Sequence, residues 1–359
     1  MEFLSEYGIF LAKTLTFVLA LLFVVVSIIN LSSKQKKSNG RLEITNLSEQ
    51  FQDVEDELRL HLVSEDEAKL LEKEQHKAEK KKHKAELKAL KKAHKEKAKD
   101  KEAVKTEDVE SRLFVLDFTA GIDAKEVASL REEITAILFV ANEHDEVLVR
   151  LESGGGVVHG YGLASSQLER LKQANIKLTI AVDKVAASGG YMMACIADRI
   201  IAAPFAIVGS IGVVAQIPNF NRLLKKNNID VEQLTAGEFK RTLTMFGEND
   251  ESGREKFQQE LEETHVLFKD FVSAHRPGMD IEKIATGEHW FGTHAHERGL
   301  VDTLQTSDDY LLKANKSQTI YTVKYVVRKK LAEKLAQAAS MAMSISLNKF
   351  LQQSKYPHL

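Results

Sequence analysis

The hydrophobic and polar positions divide the chain into an apolar start, a charged middle and a mixed remainder. Residues 14–31 contain no charged side chain, and together with 9–12 they are long enough for a helix to cross a bilayer. Between residues 41 and 70, acidic and apolar positions recur at helical spacing, and lysine dominates residues 73–101. The lysine-rich stretch is typical of a solvated, partly helical linker.

From about residue 112, short apolar runs alternate with segments of helical periodicity. We predict strands over 112–118, 146–152, 177–183, 199–204, part of 205–220, the start of 229–250, and 319–327. We predict helices over 122–141 (with Asp123 as N-cap), 162–175, from about 189, 219–228 and 251–276. This alternation predicts an α/β fold with a parallel sheet and helical crossovers. Active residues in such folds lie in loops after the carboxyl ends of strands.

Four regions follow from these patterns. They are an N-terminal transmembrane anchor with its flanks (1–40), a charged linker (41–110), a globular domain (111–305) and a C-terminal strand with an amphipathic helix (306–359). The apolar side of that last helix predicts packing or oligomerisation. No small-residue cleavage site follows the apolar run, which favours an uncleaved anchor. Basic residues follow the run, and the positive-inside rule then puts the C-terminal side in the cytoplasm.

Composition excludes some classes of protein. The chain has 359 residues, a formal net charge of −2 and one cysteine. This charge does not indicate a specific nucleic-acid binder, although binding of the lysine-rich linker to anionic lipid or nucleic acid is a secondary hypothesis. Cys195 has no partner for an internal disulfide, and its apolar neighbours predict a small core residue.

The stretch "KVAASGGYMMA" (184–194) places one hydroxyl, that of Ser188, among small residues. Small neighbours allow a substrate to approach closely, and a helix that begins after Ser188 would direct free N–H groups at it. The pattern suits a nucleophile beside an oxyanion hole. An N-cap serine on a buried helix is the simpler alternative.

Two further segments carry candidate chemistry. "ESGGG" (152–156) follows a predicted strand, and its backbone could present N–H groups to an oxyanion, although such a run is usually only a turn. Lys240 lies among apolar residues with Arg241 adjacent. A lysine acts as a general base only when its amine is neutral, a state that burial and nearby positive charge favour. The alternatives are an ordinary surface lysine and a base at His159, but no motif supplies an aspartate to orient that histidine.

Five segments together resemble the signal peptide peptidase A group of serine proteases, which has a Clp-protease/crotonase-like fold. They are "ESGGG", "KVAASGGYMMA", "FAIVGSIGVV", "TAGEFKRTL" and "GEHWFGTHAHERGLVD". The resemblance covers about residues 112–305, so the globular domain is expected to be the protease domain. It implies Ser188 as nucleophile, Lys240 as general base, and Ser210 as the hydroxyl that orients the lysine amine. Gly155, Gly156 and Gly189 would supply or support the oxyanion site.

The resemblance also implies peptide or protein substrates, a homo-oligomer and no metal or organic cofactor. In single-domain members the lysine can come from the neighbouring subunit, and both arrangements stay open here. The family's glycine loop usually reads Pro-Gly-Gly, whereas this chain has Gly154 in place of the proline. That change removes restriction of the backbone but no N–H donor.

Three functions remain in view. The first is an inner-membrane serine endopeptidase that is anchored in lipid through residues 9–31. The second is an inactive membrane scaffold, and the third is a crotonase-type acyl-CoA enzyme, which generally lacks a serine nucleophile. The flanking charges favour a cytoplasmic catalytic domain, and the periplasmic side is the alternative.

Overall fold

The computed structural model describes residues 7–8, 10, 13–14, 16–17, 40–64, 66–67, 80–81, 84, 88 and 111–327. The chain divides into two compact units. One comprises Glu43–Lys324 and contains the candidate site; the other comprises Met1–Leu42 and Tyr325–Leu359, and few of its residues are described.

The strands lie in two sheets. Their bounds are β1 (Arg41–Asn46), β2 (Arg112–Thr119), β3 (Glu146–Glu152), β4 (Lys177–Val182), β5 (Val185–Ala187), β6 (Arg199–Ala202), β7 (Ile207–Gly209), β8 (His289–Phe291), β9 (Thr303–Leu304) and β10 (Thr319–Val326). The larger sheet has the order β1-β10-β2-β3-β4-β6-β9, and the smaller has the order β5-β7-β8.

Helices connect most of these strands. Their bounds are α1 (Leu47–Leu62), α2 (Val127–Leu138), α3 (Val158–Gln173), α4 (Gly189–Ala194), α5 (Asn221–Lys226), α6 (Glu251–His275), α7 (Ile281–Ile284), α8 (Gly292–Glu297) and α9 (Ser307–Ala314). Neighbouring strands of the larger sheet run parallel in the pairs β10–β2, β2–β3, β3–β4, β4–β6 and β6–β9. The predicted α/β fold with a parallel sheet is therefore confirmed.

Both faces of the larger sheet are covered. Alternate side chains of β3 belong to two different clusters of buried apolar residues. Val147 and Val149 are in the larger cluster with residues of α2 and α3, whereas Leu148 is in the smaller cluster with Leu311 of α9. Parallel sheets that are buried on both faces need strands with nearly continuous apolar residues. The central residues of β3, whose sequence is "EVLVRLE", show this pattern. The larger cluster also contains α4, which follows Ser188.

The smaller sheet brings separate loops together. β5 and β7 pair in parallel with Ala187 opposite Gly209, so the residues that follow them, Ser188 and Ser210, leave neighbouring strand ends. Ser153, which follows β3, forms a parallel bridge with Ala186 of β5. The glycine loop after β3 therefore begins beside the strand that carries Ser188.

Several predicted bounds were wrong. The helix predicted over 122–141 begins at Val127, and its N-cap is Glu126 without a side-chain bond. Asp123 is not the cap because the turn around Ala124, which has a φ of 48°, precedes the helix. The strand predicted at the start of 229–250 is absent from the described structure; those residues are exposed and irregular. The next helix begins at Val158, before the predicted Gly162.

Other predictions fall where the structure describes little. Three predicted segments lie almost wholly outside the described residues: the apolar run 14–31, most of the lysine-rich linker, and the amphipathic helix at the end of the C-terminal region 306–359. Among the described residues, no helix combines the length and apolar character that crossing a bilayer requires. The helical periodicity near the start of 41–70 is confirmed by α1, which is capped by the Asn46 side chain.

Candidate active site

Ser188 lies at a sharp turn between β5 and α4. Its φ of 52° and ψ of −118° are values that residues other than glycine rarely adopt. The turn is held by two backbone hydrogen bonds: the Ser188 N–H donates to the Gly209 carbonyl at 2.7 Å, and the Met192 N–H donates to the Ser188 carbonyl at 3.0 Å. Within the described part of the chain, the Ser188 hydroxyl has no hydrogen-bond partner.

The glycine loop lies directly against this turn. Gly155 has a φ of +86°, and a Cβ at this position would lie 2.7 Å from the Gly189 nitrogen and 2.8 Å from the Ser188 Cβ. Only glycine allows this approach without displacing the Ser188 turn. The Gly155 N–H donates to the Ser153 hydroxyl at 3.1 Å, so it is already engaged.

Two other N–H groups near Ser188 have no acceptor within the described part of the chain. Among the described residues, neither the Gly156 N–H nor the Gly189 N–H makes a hydrogen bond. Gly189 is the first residue of α4, where helix geometry leaves the N–H groups without intrahelical partners. Unpaired donors beside a hydroxyl form an arrangement that can stabilise negative charge on an oxygen.

One cleft of about 760 Å³ joins the serine to most of the predicted site residues. Ser188, Gly155, Gly156, Gly189 and Ser210 all line it. The apolar side chains that line it are Ile122, Val157, Val158, Met192, Val213, Val214 and Phe268. A cleft with an apolar wall and a few polar groups is the usual form of a substrate site.

Ser210 has a constrained conformation of its own. Its φ is 54°, its N–H donates to the Glu288 carbonyl at 2.6 Å, and its hydroxyl donates to the Gly287 carbonyl at 3.4 Å. The last distance is long for a hydroxyl hydrogen bond, so the Ser210 side chain is only weakly held.

Lys240 lies elsewhere in the single chain. It is exposed in the segment between α5 and α6 and lines a separate cavity of about 860 Å³ together with Leu234 and Phe246. The part of the chain that the structure describes contains no hydrogen bond or ion pair between Lys240 and Ser188. One copy of the chain therefore brings together the serines and glycines but not the lysine.

The sequence did not indicate the contribution of α6. Thr264, His265 and Phe268 of this helix line the cleft, whereas His159 is exposed and is not among the lining residues. The Nε2 atom of His265 is buried and has no partner among the described residues. Nothing in the local pattern around His265 distinguishes it, because its place in the cleft depends on how α6 packs against segments that are distant in sequence.

Comparison with known proteins identifies the family to which the chain belongs. Residues 2–168 match the N-terminal domain of peptidase family S49, and residues 170–321 match peptidase family S49. A "Probable protease SohB" of Haemophilus influenzae is 56% identical over 330 residues, which cover 92% of this chain and 91% of that protein. Two proteins of the same name from Buchnera aphidicola are 50% and 48% identical; the matches cover 87% and 99% of this chain, and 99% and 100% of those proteins, respectively.

The chain therefore belongs to peptidase family S49, and it is a serine-type peptidase. This confirms the family resemblance inferred from the five motifs.

Proposed function

We propose that this peptidase is a membrane-anchored endopeptidase in which Ser188 is the nucleophile and Lys240 the general base. The observation that carries the proposal is the strained Ser188 turn, which faces the cleft beside the unpaired N–H groups of Gly156 and Gly189. A strained backbone persists only where the surrounding structure enforces it, and such residues cluster at active sites. The parallel sheet fits the Clp-protease/crotonase-like fold that the resemblance implies.

The proposed reaction has two stages. A neutral Lys240 amine takes the proton of the Ser188 hydroxyl while the serine oxygen attacks a peptide carbonyl. The Gly156 and Gly189 N–H groups stabilise the oxyanion that forms. Protonated Lys240 then donates a proton to the leaving amine, and an acyl-enzyme remains on Ser188. Lys240 then deprotonates a water molecule, which attacks that ester, and the protonated lysine returns the proton to the Ser188 oxygen as the carboxylic acid product leaves. In this scheme Ser210 orients the lysine amine, and Gly155 supports the loop.

We propose that the catalytic dyad, the pair of Ser188 and Lys240, forms between two copies of the chain in a homo-oligomer. Lys240 lines a different cavity from Ser188 in one copy, and the segment around it exposes large apolar side chains. Leu234 is 93% exposed, and Phe239 and Phe246 of the same segment are 45% and 48% exposed, which is unusual unless another surface covers them. A neighbouring copy that packs on this segment would bury these side chains and bring its own Ser188 to Lys240.

Labelling of the full-length protein by a fluorophosphonate probe tests the nucleophile and the base. We expect Ser188→Ala and Lys240→Ala to lose labelling, whereas His159→Ala, the control, should keep it. A wild-type protein that is folded but never labels would favour an inactive scaffold. Normal turnover of Lys240→Ala, combined with loss in His159→Ala, would show that the base is the histidine.

Coexpression of the two inactive variants tests the shared dyad. If the dyad forms between copies, mixed oligomers of Ser188→Ala and Lys240→Ala contain some intact pairs and regain part of the activity. If it forms within one chain, each copy lacks one group and the mixture stays inactive. Separately purified variants that are combined without subunit exchange serve as the control.

The anchor is the remaining part of the proposal. We propose that residues 9–31 hold the protein in the inner membrane, with the catalytic unit on the cytoplasmic side because basic residues follow the apolar run. Carbonate extraction of membranes should leave the full chain in the pellet and release a variant that lacks residues 1–40. Protease protection in spheroplasts would reveal a periplasmic catalytic unit if the orientation is reversed.

A further inference from the structure

Two buried hydroxyl groups lie behind the glycine loop. Ser153 follows β3 and is 2% exposed, and Tyr161 of α3 is fully buried. The two side-chain oxygens are in hydrogen-bond contact. The Ser153 hydroxyl also accepts the Gly155 N–H at 3.1 Å, and the Tyr161 hydroxyl donates to the Gly121 carbonyl at 2.8 Å.

Each hydroxyl has one proton, which limits how these contacts are arranged. The arrangement that satisfies them in sequence runs from the Gly155 N–H to Ser153, from the Ser153 hydroxyl to Tyr161, and from the Tyr161 hydroxyl to Gly121. The Ala120 carbonyl, 3.1 Å from the Ser153 oxygen, is the alternative acceptor for the serine proton. Burial raises the pKa of Tyr161, so the phenol keeps the proton that it donates.

The same two residues also contact the turn that carries Ser188. The Ser153 N–H donates to the Val185 carbonyl at 2.9 Å, and the Ala187 N–H donates to the Ser153 carbonyl at 3.0 Å. The Tyr161 ring packs so closely on Gly189 that a Cβ there would overlap it. Ser153 and Tyr161 therefore contact both the glycine loop and the residues on either side of the nucleophile.

We propose that the Ser153–Tyr161 hydroxyl pair is a positioning element that sets the distance between the glycine loop and Ser188. Both are positioning residues, because their hydroxyls bond to each other and to the backbone and not to the Ser188 hydroxyl. Without the Ser153 hydroxyl, the Gly155 N–H would lose its acceptor. Without the Tyr161 hydroxyl, the Ser153 hydroxyl would be free to turn to the Ala120 carbonyl. Either change would let the loop turn and would move the neighbouring Gly156 donor. This inference rests on the proposed function, since it assigns the loop a role in oxyanion stabilisation.

Steady-state hydrolysis of a peptide substrate by Tyr161→Phe, Ser153→Ala and the double variant tests the inference. Misplacing an oxyanion donor slows the chemical step more than it weakens binding, so we expect kcat to fall about 30-fold with KM changed less than about threefold. Because the two hydroxyls act as one unit, the double variant should be no slower than the worse single variant. If the fall of kcat in the double variant equalled the product of the falls in the two single variants, the two hydroxyls would act independently, which would contradict a shared role.

Tyr310→Phe is the matched control. Its side chain is half-buried and its hydroxyl bonds to Glu146, on the opposite side of the sheet from the cleft. We expect this variant to lose stability as Tyr161→Phe does but to keep kcat. Equal kcat in Tyr161→Phe and wild type, with Ser188→Ala inactive, would overturn this inference and leave the proposed function intact. So would an equal fall of kcat in Tyr310→Phe. A wild type that neither labels nor hydrolyses peptide would overturn the proposed function and this inference with it.

Discussion

Replacing Gly155 with alanine adds one methyl group beside Ser188. The backbone at Gly155 has a φ of +86°, and the new Cβ would lie 2.7 Å from the Gly189 nitrogen and 2.8 Å from both the Ala187 oxygen and the Ser188 Cβ. All three are fixed by backbone structure, so the loop has to move. Gly154 is the natural control, because a Cβ there meets no atom within 4 Å.

The cost of the change has two parts. A left-handed conformation costs an alanine about 1–2 kcal/mol, and forcing a methyl group into a packed region costs about 1–3 kcal/mol. Together they cost about 2–5 kcal/mol, and in a domain of this size each kcal/mol lowers Tm by about 2–4 °C, so Tm should fall by roughly 4–20 °C. Displacement of the oxyanion donors should slow acylation about 100-fold, as the loss of one such donor does.

Thermal denaturation followed by circular dichroism and the rate of fluorophosphonate labelling measure the two effects separately. Gly154→Ala should stay within about 0.5 kcal/mol of wild type and label at nearly the wild-type rate. Retention of both Tm and labelling rate by Gly155→Ala would refute the close approach of the loop to Ser188. Equal losses in the two variants would show that the loop tolerates no side chain anywhere, which contradicts the difference between the two sites.

Three further outcomes are expected. Ser188→Gly should raise Tm by about 2–6 °C over Ser188→Ala while both lack activity, because only glycine relieves the positive φ. Burial opposes ionisation of Asp145, but its bonds to Arg112 and to backbone N–H groups hold its pKa below the ordinary value. The stability that this carboxylate contributes is present above about pH 4 and is lost as pH falls through the lower folded pKa. Urea unfolding of Asp145→Asn should therefore give a lower free energy of unfolding than wild type at neutral pH, and this free energy should fall less than that of wild type as the pH is lowered. Burial raises the pKa of the Cys195 thiol to about 12, so a thiol reagent should label it only after denaturation; rapid labelling of the folded protein would contradict the buried position.

Local pattern was a reliable guide to long elements and a poor one to short ones. The strand over Glu146–Glu152 and the helix over Glu251–His275 were predicted almost to the residue, because each has a continuous pattern of its own. The three-residue strand β5, the strand β1 and the helix α9 were not predicted. A strand as short as β5 exists only because β7 lies beside it, and its sequence, Val-Ala-Ala, has no distinctive pattern.

By itself, the sequence determined the α/β class, the family and the choice of Ser188 as the candidate nucleophile. The class depends on periodicity, the candidate nucleophile on small residues around one hydroxyl, and the family on the resemblance of five short segments to a known group; all three are local properties of the chain. Only the tertiary structure decided that the glycine loop, Ser188 and Ser210 meet in one cleft, because pairing of β5 with β7 and the bridge to Ser153 join strand ends that are distant in sequence. The contribution of Tyr161 depends likewise on packing, since a buried tyrosine in a helix has no sequence pattern that shows which hydroxyl it meets.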